Sequence, residues 1–337
     1  MNTMTSRERV MSSLNHQPVD RLPVISVCQH ATYDQMEQLN SSWPEAFHDA
    51  SLMAKLASGA HSILGFDAVR VPFCQTHEAE AFGAVLKYGG KTGLPSVNIH
   101  PYHIGDNVDF PNDFLSRGRI PALLEAIRIL KRDYGDKVIV MGGVIGPFSI
   151  ASLLFEVTDF LKATFKKPND LIPYIELGER AGTMLAKAMI EAGADVICVE
   201  DMMASMDMIS PKIYRNLAWE YEKKQVEALN VPVIIHICGK VDPIIVDIAK
   251  TGCGAISVES NVNVPEALDK FKLEGIKTPI AGGVDPVKTL FTGQPEDVKG
   301  EAREAISKGY SIISPGCAVP PATITANLIA MVDTVNE

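Results

Sequence analysis

Residues 191–200 read EAGADVICVE: a helical stretch closes on Gly193, and a short apolar run follows at once and ends in a carboxylate. The same order of helix, glycine and strand returns at 250–259 (KTGCGAISVE) and at 307–316 (SKGYSIISPG). As a sequence repeat the likeness is weak, yet it fits one βα unit used several times. Outward from these stretches, Val- and Ile-rich runs occur at 22–27, 68–73, 138–141, 195–199, 231–237, 255–258, 279–282 and 311–314, each followed by a helix-compatible segment. Eight such units predict an α/β fold, the (β/α)8 TIM barrel. Residues 1–337 show no interdomain linker, so a single barrel domain is expected.

Thr5 and Glu8 have the spacing of a capping box and predict an N-terminal helical extension. Ser210 and Pro211 form a cap and first-turn pair for a helix expected to end near Asn230. Residues 82–113 are rich in Gly and Pro with little periodicity, which predicts a loop excursion over one barrel end after the second strand. The other architecture, a doubly wound open sheet, lacks its usual support, because no G-x-G-x-x-G follows the first strand.

Composition narrows the function. Lys and Arg number 31 against 41 Asp and Glu, a net charge of −10 with no dense basic run, so nucleic acid and anionic membranes are not expected partners. The start MNTMTSRERV has charge where a secretory leader would be apolar, so a cytoplasmic location is expected. Residues 138–155 hold no charge over 18 positions, but Gly142-Gly143 and Gly146-Pro147 divide them into strand, turn and helix start, so they read as buried core rather than a membrane span.

In VPVIIHICGK (231–240), a buried-strand pattern gives way to His236 and Cys238, two residues apart and so on one side of the strand end. The eighth run ends SPGC, placing Cys317 on the same C-terminal rim, where barrel chemistry resides. One imidazole and two thiols suit zinc with an open position, the pattern of a catalytic site. As core residues, the same three would be a hydrogen-bonded histidine and two small apolar fillers. Glu259 ends the sixth run and is a possible fourth ligand or an outer carboxylate; Glu200, Asp201 and Asp285 end other strands. Cys28 and Cys74 follow the first and second runs and rank behind as ligands, near His30 and His77, whereas Cys198 and Cys253 read as structural. Two thiolates leave zinc little net positive charge, which favours alkyl transfer to sulfur over water activation.

The stretches at 5–24 (TSRERVMSSLNHQPVDRLPV), 236–259 (HICGKVDPIIVDIAKTGCGAISVE), 280–298 (IAGGVDPVKTLFTGQPEDV) and 314–332 (SPGCAVPPATITANLIAMV) resemble the uroporphyrinogen decarboxylase superfamily over nearly the whole chain. Residues 43–57 (WPEAFHDASLMAKLA) and the His-x-Cys plus distal Cys set are similar to its methylcobamide:coenzyme M methyltransferase branch, of methanogenesis. That resemblance implies zinc on His236, Cys238 and Cys317, with coenzyme M attacking the methyl group of a methylated corrinoid carried by a partner protein. Arg70, Gln29 and Asp285 are candidate substrate-binding residues, Arg70 and Gln29 for the sulfonate. An O-demethylase that passes a methyl group from an aryl ether to Co(I) corrinoid is the nearer alternative. A decarboxylase (a lyase) is the more distant one: its members carry Arg-Gln-Ala-Gly-Arg-Tyr after the first strand, where this chain has Ser26 to Tyr33, SVCQHATY.

Overall fold

The computed structural model describes residues 3–337. Its strands are β1 (Ala68–Val71), β2 (Val85–Lys87), β3 (Ser96–Ile99), β4 (Ile139–Ile145), β5 (Val196–Glu200), β6 (Val233–His236), β7 (Ala255–Val258), β8 (Ile280–Val284) and β9 (Ile312–Pro315). Seven of them form one parallel sheet in the order β1-β4-β5-β6-β7-β8-β9, with helices between successive strands. Strand residues buried on every position explain the uninterrupted Val/Ile runs, since a parallel sheet wrapped by helices has no wet face.

The first apolar run does not form a full strand. Pro23 has no N–H to give, and the Val24 N–H is taken by the Asp67 carboxylate at 2.9 Å. What remains still closes the circle between the sheet edges: Val24 pairs in parallel with Ile313, and its carbonyl accepts from the Asp67 amide. The result is the TIM barrel the sequence predicts, with its first strand reduced to a bridge.

The helix Ser6–Leu14, capped by the Thr5–Glu8 box, sends Val10 and Leu14 into a core with Ile25, Ala68, Ile139, Val196, Ile234 and Ile312. It therefore plugs the end of the barrel at which the strands begin. Asp67, fully buried, anchors this plug by accepting from Ser6, Arg9 and Arg21. The expected helix from Pro211 is instead broken at Ala218 into Pro211–Leu217 and Trp219–Glu227. At the break, the Trp219 indole N–H reaches the Asp247 carbonyl at 2.6 Å.

Residues 138–155 are core: β4, a turn and the helix Pro147–Leu153. The excursion after β1 carries the antiparallel β2–β3 hairpin, and its residues Leu94–Val97 form one wall of a pocket at the C-terminal mouth. Among the described residues, no helix is long and apolar enough to cross a membrane.

Candidate metal and thiol site

Strand register assembles the site. Glu200 at the end of β5 lies beside His236 at the end of β6, and His236 lies beside Ser257 on β7. The His236 Nδ1 sits 3.0 Å from the Ser257 hydroxyl, leaving Nε2 directed at the Cys238 sulfur 3.3 Å away. The Cys238 and Cys317 sulfurs are 3.5 Å apart. In a tetrahedral zinc site, bond lengths near 2.3 Å to sulfur and 2.0–2.1 Å to nitrogen separate neighbouring donors by about 3.6–3.8 Å. Both separations thus already stand close to what such an ion requires, and the mixed imidazole and thiol set suits zinc.

Two overlapping triads of donor atoms, each with all separations within 4.8 Å, meet here: Cys28, His236 and Cys317, and Cys238, Glu259 and Cys317. Cys317 belongs to both. The Glu259 Oε1 accepts the Gly239 N–H at 2.7 Å, which fixes the turn just past Cys238. As bare side chains the thiols share charge unequally. Hydrogen bonds from the Cys238 and Cys28 thiols hold Cys317 well below the ordinary cysteine range, while the Cys317 sulfur and then burial push Cys238 up. His236 is held above its usual value; burial opposes this, but the Cys317 sulfur and the Glu200 and Glu259 carboxylates outweigh it.

These groups open on a cavity of about 290 Å³ lined by Cys28, Cys238, Cys317, Gln75, Glu200 and the hairpin wall, among others. Arg70 and Gln29 also line it, and apart from the Arg70 Nε their side-chain polar atoms are already engaged. The buried Arg70 guanidinium pairs with Glu200 and donates to the Pro72 carbonyl, and Gln75 donates to the second Glu200 oxygen. The Gln29 amide bridges Ala31 and the Val319 carbonyl. Asp285 lies outside the cavity wall, where its carboxylate accepts from the Val287 and Lys288 amides.

Of the lower-ranked residues, Cys74 reaches the cavity wall, with its sulfur 3.2 Å from the buried Arg119 guanidinium. His30 is fully buried, and burial followed by the Arg70 charge pushes it down to about 4, so it is a neutral core residue. Sequence reading missed Ser257, whose only signal is a hydroxyl in a β-branched run two residues before Glu259. Ser257→Ala is expected to weaken zinc binding by about 10–100-fold, the usual cost of losing the partner that orients a ligating histidine. Chelator competition measures this, and an unchanged affinity would mean that Ser257 does not orient His236.

The profile of the family "Uroporphyrinogen decarboxylase (URO-D)" matches residues 5–337. A methylcobamide:CoM methyltransferase MtaA of Methanosarcina barkeri is 36% identical over 333 residues, covering 98% of this chain and 98% of that protein. A methylcobamide:CoM methyltransferase MtbA of Methanosarcina mazei is 37% identical over 338 residues, covering 99% and 98%. A solved methyltransferase from Methanosarcina mazei superposes with a TM-score of 0.94 at 37% identity, covering 99% of this chain and 98% of that one.

Proposed function

The chain belongs to the uroporphyrinogen decarboxylase family, and from that premise we propose that it transfers a methyl group from a methylated corrinoid to a thiol. We infer further that the thiol is coenzyme M and that His236, Cys238 and Cys317 hold it at a zinc ion. The observation that carries this reading is two thiols 3.5 Å apart on the wall of a small cavity, with the His236 imidazole 3.3 Å behind one of them. The names of the full-length methylcobamide:CoM methyltransferase relatives support it.

Zinc bound by one imidazole and two thiolates supplies a position where a thiol ionises at neutral pH yet remains nucleophilic. The chain does the rest by position. Ser257 fixes the His236 ring, and Glu259 fixes the backbone beyond Cys238 through Gly239. A cavity of about 290 Å³ lies at the small end of the range for ligand sites, so it takes a small thiol and keeps the large corrin ring at the mouth. The corrinoid therefore approaches the C-terminal rim, past the β2–β3 hairpin, on its own carrier protein. Arg70 is the one cation among the described lining residues and is paired with Glu200, a poor setting for a tetrapyrrole with many carboxylates.

The test is methyl transfer itself. Zinc-loaded protein mixed anaerobically with methylcobalamin and coenzyme M is expected to discharge the methylcobalamin absorbance only when the thiol is present, and Cys238→Ala is expected not to do so. Absence of thiol-dependent discharge with zinc at one per chain would refute the reading and point to methyl transfer from an aryl ether to Co(I) corrinoid.

A further inference from the structure

Residues 309–332 contain no Asp, Glu, Lys, Arg or His, in a chain of which 21% is charged. The run leaves β9 through Cys317 and crosses the C-terminal mouth before entering the helix Thr325–Asn336. A buried run would need no charge, but here Ala318, Ala322 and Ile324 are exposed, and Pro320 and Pro321 are half-buried. The neighbouring loop after β8 adds two larger side chains, Val287 at 53% exposure and Phe291 at 44%. Asp285 and Lys288 are the only charges on residues 285–293 and 309–332 together.

Hydrogen bonds hold these segments as one shelf. The Asn327 side-chain amide donates to the Leu290 and Gly293 carbonyls, both at 2.9 Å, which fastens the β8 loop to the base of the last helix. Within that loop the Thr292 and Gly293 amides donate to the Val287 and Thr289 carbonyls, so the chain coils into a turn on which Val287 and Phe291, four apart, share a side. On the other flank the Tyr33 N–H donates to the Pro321 carbonyl at 2.8 Å and its hydroxyl to the Thr92 carbonyl at 3.0 Å, joining the shelf to the β2–β3 hairpin. At the inner edge Ala318 lines the cavity beside Cys317. A connected apolar surface left open beside a reactive mouth marks a contact with another molecule.

We propose that this shelf is where the protein that carries the corrinoid docks, apolar surface against apolar surface. The proposal rests on the methyl-transfer reading above. A corrin macrocycle is too wide for a cavity of about 290 Å³, so its cobalt reaches a thiol there only if the carrier lies against the rim, and the shelf begins at that rim. A second copy of this chain seated here would lie over the mouth, and a permanent dimer needs a far larger apolar face than Val287, Phe291 and Ile324 supply. A small uncharged contact also suits a carrier that leaves after each turnover to be methylated again, because no buried ion pair has to be broken for it to go.

Free methylcobalamin needs the mouth but no carrier, which separates the docking surface from the chemistry. Phe291→Asp and Ile324→Asp are expected to raise KM for a corrinoid protein reconstituted with methylcobalamin by at least about 10-fold, as the loss of an apolar anchor at the centre of a contact does. The turnover at saturation and the rate with free methylcobalamin are expected to stay at the wild-type level. Leu273→Asp, at a side chain 87% exposed near the end where β8 begins, is expected to change neither. Raising the ionic strength from about 0.05 to about 0.5 M is expected to shift the wild-type KM for the carrier less than about twofold, since salt screens charges and this contact holds almost none. Phe291→Ser and Ile324→Ser repeat the measurement without an added charge should an Asp variant fail to fold. An unchanged carrier KM in these variants would overturn the proposal, as would equal losses with free methylcobalamin. A wild-type dimer that Phe291→Asp disperses would overturn it too and give the shelf to a second copy. A wild type that discharges no free methylcobalamin to the thiol would remove the methyl-transfer reading itself, and the shelf's partner with it.

Discussion

Cys317→Ala is expected to bind zinc more than about 100-fold more weakly than the wild type, because a lost ligand costs more than a lost partner of a ligand, and to reduce methyl transfer to background. Among the candidate ligands it is the one shared by both donor triads, and it stands 3.5 Å from Cys238. Its removal therefore breaks both triads as well as the proposed His236, Cys238 and Cys317 set. The barrel should survive, since Cys317 sits on the mouth and is absent from both hydrophobic core clusters. Cys253→Ala, buried at the opposite end, is the matched control and should keep zinc and turnover. Metal content, circular dichroism and the methylcobalamin assay read the three consequences separately. Full zinc and full turnover in Cys317→Ala would remove the site assignment altogether.

The second large effect is on stability. Arg70 and Glu200 are each 2% exposed and pair across the barrel interior from β1 and β5. Glu200→Ala leaves the guanidinium buried with only the Pro72 carbonyl as partner and strips Gln75 of its acceptor. Orphaning one half of a buried pair costs about 3–5 kcal/mol, because the remaining charge has lost both water and its counter-ion. The urea midpoint should fall accordingly. Replacing both residues together, with Arg70→Met and Glu200→Leu, should recover much of the loss, because two apolar side chains of similar volume need neither solvent nor partner. A Glu200→Ala variant with an unchanged midpoint would show that water or another group takes over the Arg70 charge.

The same pair shows why the anion-binding candidates read differently in three dimensions. An arginine within an apolar strand run is conspicuous in one dimension, but its partner lies 130 positions away in sequence. Gln29 is a parallel case, because its amide is committed to residue 319 across the closure of the barrel. In both, the residue type is legible and the occupancy of its hydrogen-bonding capacity is not.

What the sequence by itself determined is local and periodic. Runs of β-branched residues alternating with capped helical segments dictate strand and helix, and eight such alternations suit a barrel, because a parallel sheet must bury both faces, one under the helices and the other inside the closed barrel. The two-residue repeat of a strand and its position on the rim were enough to bring His236, Cys238 and Cys317 together as candidates, and the structure sets their donor atoms 3.3 and 3.5 Å apart. Tertiary structure alone decided what depends on groups distant in the chain. It reduced the first strand to one bridge, because Pro23 lacks a donor and Asp67 claims the Val24 amide. It placed Ser257 behind His236 through the β6–β7 register, and it brought the Cys28 and Cys317 sulfurs within 4.8 Å of each other. A side chain's type is fixed where it stands in the sequence; its partner is fixed only when the barrel closes.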